Sequence, residues 1–214
     1  MKAVAVDLGG TNIKAAIVDK KKGIIERTSI PTHAELGRDH LLDRIGTIIS
    51  ELASKHKVIG VGMGLPGMVN IDQTIVRNPP NLPGWGEVHA AEEISKRTEL
   101  LCKIENDANI AALGSLHFGA GKQFDNFIII TLGTGVGGGI ILNKKLYKGS
   151  HGMAGELGHV ILDYHGPLSN SVTRGTVEAY LGQRFLSRFA TDLILQQTEN
   201  PLYEKFHKDF DKLE

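Results

Sequence analysis

The chain has 214 residues, 41% hydrophobic and 22% charged, with Lys plus Arg and Asp plus Glu equal at 24 each. This length builds one large domain or two small ones with ample core, and the balanced charge leaves no basic field to attract nucleic acid. The one cysteine, Cys102, excludes an internal disulfide and a cysteine-rich metal cluster.

In chain order, residues 3–8 read as an apolar strand, and Asp7 interrupts what would otherwise be a signal-peptide core. The strand turns through Gly9-Gly10-Thr11-Asn12 into a second apolar strand that reaches Val18. A third strand is expected over 23–30, ended by Pro31. Leu41, Leu42, Ile45, Ile48, Ile49 and Leu52 have the spacing of an amphipathic helix over 39–56. A glycine-rich buried strand follows at 58–65, closed by the turn signal Pro66-Gly67. Residues 77–86 form a loop rich in chain breakers. A helix is expected over 87–97, a strand over 100–105 with Cys102 as a small core residue, and a helix over 106–118.

After a polar joint at 119–125, the strand–turn–strand unit returns. Phe127 to Thr131, the turn Leu132-Gly133-Thr134-Gly135, and Val136 to Leu142 align without a gap against the first copy. The apolar stretch is broken by Thr and glycines, so it is no membrane span. Residues 149–166 read as loop with one short strand at 160–163, and 175–197 and 202–213 as helices. The order βββαβαβα argues for an α/β sandwich with a mixed sheet.

Glycines let a backbone approach a ligand closely, and successive turn amides form a nest for anionic oxygen. The two turns therefore suggest duplicated lobes facing each other with a polyphosphate between them. Two ordinary β-hairpins are the plainer reading. Gly133-x-Gly135-x-x-Gly138 imitates a dinucleotide fingerprint, but a strand rather than a helix follows it, so that match is rejected. Asp7 beside a phosphate nest is electrostatically unfavourable unless a divalent cation lies between, and Mg²⁺ with one carboxylate, water and phosphates is a common arrangement. Asp as a turn-former explains the same residue.

Glu105-Asn106-Asp107-Ala108-Asn109 ends a strand and opens a helix, where ligands of α/β sheets bind. Asp107 there suits a base for an attacking hydroxyl, and equally Asn106 or Asp107 suits a helix N-cap. Gly155-Glu156-Leu157-Gly158-His159, with Glu178 further on, suits hydrogen bonding to several sugar hydroxyls or a zinc site. His151 and His165 are the extra histidines that zinc would call on.

Seven stretches in order carry a family resemblance: Val6 to Asn12, Gly64 to Gly67, Asn81 to Trp85, Glu105 to Asn109, Leu132 to Gly139, Gly155 to His159 and Gly175 to Glu178. With them the chain resembles the ROK group of sugar kinases and sugar-responsive repressors, of the actin-like ATPase (ribonuclease H-like) fold. The resemblance implies lobes of βββαβα type, at 1–118 with the first phosphate turn and catalytic Asp, and at 119–214 with the second turn and the sugar loop.

It further implies an ATP-dependent kinase of a hexose or N-acetylhexosamine, dimeric by family habit; a cytoplasmic location is expected from Asp7 in the first strand and the broken apolar stretch. Asp7, Gly9, Gly10, Thr11, Asn12, Thr131, Gly133, Thr134 and Gly135 would hold ATP, with Mg²⁺ on Asp7 through water. Asp107 would be the general base, and Asn106, Glu156, His159, Glu178 and the Gly67 backbone would hold the other sugar hydroxyls.

Two departures stand out. The family's zinc-binding cysteines are replaced by Ser169, Ser171 and Thr176, whose hydroxyls are poor zinc ligands, so no zinc is expected. The pattern ends before the segment that completes the family's second lobe, so that lobe is expected to be incomplete. A catalytically silent sugar-binding protein is the alternative. A regulator is disfavoured, because no basic helix precedes the first strand.

Overall fold

The computed structural model describes residues 1–197, 199 and 201–206. β1 (Lys2–Leu8), β2 (Asn12–Asp19) and β3 (Gly23–Pro31) form an antiparallel meander in which Asp7 faces Lys14 and Leu8 faces Ile13. Val4, Val6 and Leu8 alternate with more exposed neighbours, as do Ile13, Ala15 and Ile17, and this period of two commits one face to the core. α1 (Arg38–Lys55) buries Leu41, Leu42, Ile45, Ile48, Ile49 and Leu52 along one stripe and packs on β1 and β2.

β4 (Val61–Leu65) follows. Then β5 (Met68–Val69), β6 (Val76–Arg77) and β7 (Glu87–Val88) make a small antiparallel sheet, followed by α2 (Ala90–Thr98), β8 (Cys102–Asn106) and α3 (Asp107–Phe118). The main sheet has the order β3-β2-β1-β4-β8, with β1, β4 and β8 parallel. Met63 and Leu65 are buried in the core, while Gly64 faces the other way. A Cβ there would come within 2.9 Å of Ile110 Cδ1, so glycine lets α3 lie close against the sheet. Helices thus cover both faces, and the carboxyl ends of β1, β4 and β8 share one edge.

Some expected boundaries move. The strand expected from 58 begins at Val61. The helix expected from 87 begins at Ala90, because Glu87 and Val88 pair with Arg77 and Val76. The breaker-rich loop 77–86 is anchored, with Leu82 and Trp85 buried in the core cluster.

The residues group into two units, Met1–Phe127 with Ile140–Ala154, and Ile128–Gly139 with Gly155 onward. β9 (Phe127–Leu132) and β10 (Val136–Leu142) flank the second turn, and β10 runs on to pair with β11 (Lys145–Leu146) in the first unit. The second unit holds α4 (Val177–Leu181), α5 (Gln183–Gln196) and α6 (Pro201–Phe206).

The single helix expected over 175–197 is two, because Gly182 takes an extended ψ of 136° and ends α4. The strand expected at 160–163 is one bridge, Ile161 to Thr176; Val160, Ile161 and Leu162 are all exposed, so no face is covered that would extend it. Of the helix expected over 202–213, α6 is described and the remainder lies outside the described residues. In this unit Val136, Ala179 and Ile194 are buried, whereas Ile128, Ile130, Leu132, Leu186, Phe189 and Leu193 are exposed.

Candidate active site

In the first unit, the turn between β1 and β2 is closed by the Gly9 N–H donating to Asn12 O at 3.0 Å. Thr32, fully buried after β3, fastens it from behind. Its hydroxyl donates to Gly9 O at 2.7 Å and its N–H to Thr11 O at 2.8 Å. Gly10 has Asn81 beside it, 3.3 Å from where a Cβ would stand. Asp7, at the exposed end of β1, has Lys14 Nζ 3.6 Å away as a loose ion pair. An exposed carboxylate next to a glycine turn fits a Mg²⁺ ion held through water with phosphate.

Asp107 opens α3 at the carboxyl end of β8. Its neighbour Asn106 is the N-cap, accepting from the Ala108 N–H at 3.0 Å and the Asn109 N–H at 3.2 Å. The same side chain donates Nδ2–H to Gly67 O at 3.2 Å. Gly67 has φ 101°, and a Cβ would meet Pro79 Cα at 2.8 Å, so the β4 turn requires glycine. The structure therefore brings Gly67, Asn106 and Asp107 together, with both ends of the Asn106 amide engaged.

The Asp107 carboxylate accepts from the Ala108 N–H at 2.8 Å. One side of the group is open to solvent while protein atoms crowd the other. That desolvation lifts its carboxyl above the ordinary value, the nearby Asp7 charge lifts it further, and the Ala108 hydrogen bond opposes both. A raised carboxyl at a strand end is the form expected of a general base.

Sequence reasoning gave Glu105 no role, yet it is 3% exposed and has four partners. Its Oε1 accepts from the Asn106 N–H at 3.0 Å and Asn109 Nδ2–H at 3.2 Å; its Oε2 accepts from Gln73 Nε2–H at 3.0 Å and pairs with Lys148 Nζ at 2.8 Å. The motif marked Glu105, but Gln73, Thr32 and Lys148 carry no sequence signal. Each is a common residue made special by its position in space.

In the second unit, the turn after β9 is closed by the Gly133 N–H to Gly135 O at 3.0 Å, and Gly133 O accepts from the Gln183 N–H at 2.9 Å. Thr131 is half-buried on β9, and Thr134 O lies 3.3 Å from a Cβ at Gly182. The Glu178 carboxylate accepts from the Val136 N–H at 3.1 Å, so this residue braces the turn. A Cβ on Gly135 would collide with the same carboxylate.

His159 and Glu156, three apart, pair at 3.8 Å, both partly exposed on a short 3₁₀ turn. His159 Nδ1 lies 3.5 Å from Ser171 Oγ, which hydrogen-bonds Ser169 Oγ at 2.8 Å. Thr176 Oγ1 accepts from the Ala179 N–H at 3.2 Å and caps α4. Hydroxyls bind zinc far less well than thiolates, so this set does not fit a structural zinc. Among the described residues no three His, Cys, Asp or Glu side chains gather as a metal site, and neither His151 nor His165 joins His159 in one.

No helix of the described residues is long and apolar enough to cross a membrane. The model of the ROK family matches residues 3–212. The chain is 38% identical over 189 residues to a glucokinase of Thermotoga maritima, across 88% of this chain and 60% of that one. It is 33% identical over 188 residues to the xylose repressor of Bacillus subtilis, across 86% and 48%. Among solved structures it is similar to a ROK family glucokinase from Streptomyces griseus in complex with glucose and AMPPNP. The TM-score is 0.85 and the identity 34%, over 100% of this chain and 68% of that one. The chain spans 60% of the length of the Thermotoga maritima relative.

Proposed function

From the premise that the chain belongs to the ROK family and has the actin-like ATPase fold, we propose that it is a sugar kinase. Its reaction is the transfer of the γ-phosphoryl group of ATP to a hydroxyl of a hexose or N-acetylhexosamine. The observation that carries this reading is Asp107, a carboxylate held at the end of β8 with its pKa raised by desolvation. As the sugar oxygen bonds to the γ-phosphorus, Asp107 takes the hydroxyl proton and the bond from phosphorus to the β–γ bridging oxygen breaks.

The chain's other residues position. Asn106 and Gly67 orient the sugar beside Asp107, and Glu156 and His159 hold further hydroxyls. Glu178, already on the Val136 N–H, links its sugar contact to the second phosphate turn. Asp7 and the turn Gly9 to Asn12, with Thr131 and the turn Gly133 to Gly135, take the phosphates. Residues 1–118 carry the first turn and the base, and 119–214 the second turn and the sugar loop. Mg²⁺, held by Asp7 through water, would neutralise charge on the transferring group. The donor assignment follows the AMPPNP-bound neighbour.

A second reading, a sugar-binding protein without phosphoryl transfer, has the likeness to the xylose repressor in its favour. A coupled ADP-release assay across a sugar panel, run beside calorimetric titration of the same sugars, decides between them. ADP release with one sugar supports the kinase; binding without ADP release supports the silent protein.

A further inference from the structure

Lys148 and Glu105 form an ion pair at 2.8 Å with side chains 14% and 4% exposed. Desolvating two charges generally costs as much as their attraction returns, and an apolar pair of equal volume serves stability as well. The pair's geometry points to another use. Glu105 is two residues before Asp107, and its Oε1 grips the backbone N–H of Asn106 and the side chain of Asn109, residues on either side of the base. Its other oxygen is held in place by Lys148 and Gln73.

Lys148 is itself fixed. It follows β11, donates to Asn70 O at 3.1 Å, and its carbonyl accepts from the Ala154 N–H at 3.1 Å. The Asn70 turn is tied in turn to β8, where the Ile104 N–H donates to Gln73 O at 3.0 Å. A Cβ at Gly152 would come within 2.6 Å of Val69 O, so the loop after Lys148 lies close on this turn.

We propose that Lys148 is a positioning residue for the Asp107 base, acting through Glu105. By fixing the Glu105 carboxylate it fixes the Asn106–Asn109 junction, and hence the direction in which the Asp107 carboxylate faces its substrate. The proposal rests on the kinase reading; neither Lys148 nor Glu105 is placed against sugar, and the Asn106 side chain keeps its own hold on Gly67 O and the Ala108 and Asn109 amides, so the effect is expected chiefly in kcat.

The test measures kcat and KM for the phosphorylated sugar in Lys148→Met and Lys148→Arg, with amide hydrogen exchange at Asn106, Ala108 and Asn109. A misplacement of about 1 Å costs on the order of 100-fold. Lys148→Met is therefore expected to lower kcat roughly 10- to 100-fold with sugar KM within about 3-fold. Lys148→Arg keeps a cation opposite Glu105, though not the compact ammonium, and is expected to retain clearly more kcat than Lys148→Met. If Lys148→Met fails to fold, the double variant Glu105→Gln with Lys148→Met removes both charges and is expected to show the same kcat loss.

An unchanged kcat, or a loss confined to KM, overturns the positioning role. A wild type that releases no ADP with any sugar overturns the kinase reading instead. Amide exchange then tests the structural part alone: faster exchange at Asn106, Ala108 and Asn109 in Lys148→Met shows that Lys148 holds this junction, and unchanged exchange overturns it.

Discussion

The Thr32 hydroxyl donates to the Gly9 carbonyl at 2.7 Å, tying the end of β3 to the first glycine turn from a fully buried position. Thr32→Val keeps the shape and removes the donor. Leaving the part-buried Gly9 carbonyl short of this partner costs at most about 1–3 kcal/mol, which thermal unfolding reads directly. Because the same turn is assigned to phosphate, the KM for ATP is expected to rise more than that for sugar. A variant with lowered stability but an unchanged ATP KM separates Thr32 from the site.

The first unit was largely legible in the sequence. Alternating apolar residues in β1 and β2 and the stripe from Leu41 to Leu52 signal their own burial, because each segment is long enough to show a period. The sheet of β5, β6 and β7 was not, since two-residue strands have no period to read. Gly182 falls inside the helix expected over 175–197, and the close Glu178 and Thr134 carbonyls around it exist only in the fold. Of the candidate site residues, Asp107 in the first unit and Glu178 in the second were visible as motif residues. The attachment of Glu178 to the Val136 amide was not visible, nor was the reach of Lys148 to Glu105, because both link residues distant in sequence.

With Asp107 as the proposed base, its raised carboxyl is expected to set the acid limb of the pH profile. The base works charged, so kcat/KM falls as pH drops through the Asp107 pKa, and the limb is expected above the ordinary 3.8. A limb at or below that value removes the desolvated-base argument.

The same shift has a stability consequence of definite sign. A folded state that holds this proton more tightly than the unfolded state gains stability at low pH. It loses that gain as pH rises from the ordinary to the raised pKa. At neutral pH the charged Asp107 therefore weakens the fold, and Asp107→Asn is expected to melt at or above the wild-type temperature. A clearly lower melting temperature would mean that the carboxylate's contact with the Ala108 N–H and the helix N-terminus outweighs its desolvation.

Cys102 is 2% exposed, and burial pushes its thiol up to about 12. Thiolate is the reactive form, so a thiol reagent at neutral pH is expected to leave the native protein unmodified and to label it after denaturation. Rapid labelling of the native chain would contradict the packing of β8.

The hydroxyls of Ser169 and Ser171 stand beside His159 Nδ1, and Thr176 caps α4. Elemental analysis of purified protein is expected to show no stoichiometric zinc, and a chelator is expected to leave the melting temperature unchanged. One zinc per chain would require a ligand set other than these side chains.

Turnover by Asp107→Asn, measured beside calorimetric titration of the sugar, bears most directly on the assigned base. Loss of a positioned base costs on the order of 10²–10⁴ in rate, or about 2.7–5.4 kcal/mol. The N-cap beside it is worth about 1 kcal/mol and lies on Asn106. The variant is expected to lose turnover on that larger scale while binding sugar within about 3-fold of wild type. Near-normal turnover by the Asn variant would contradict the assignment of Asp107 as the base.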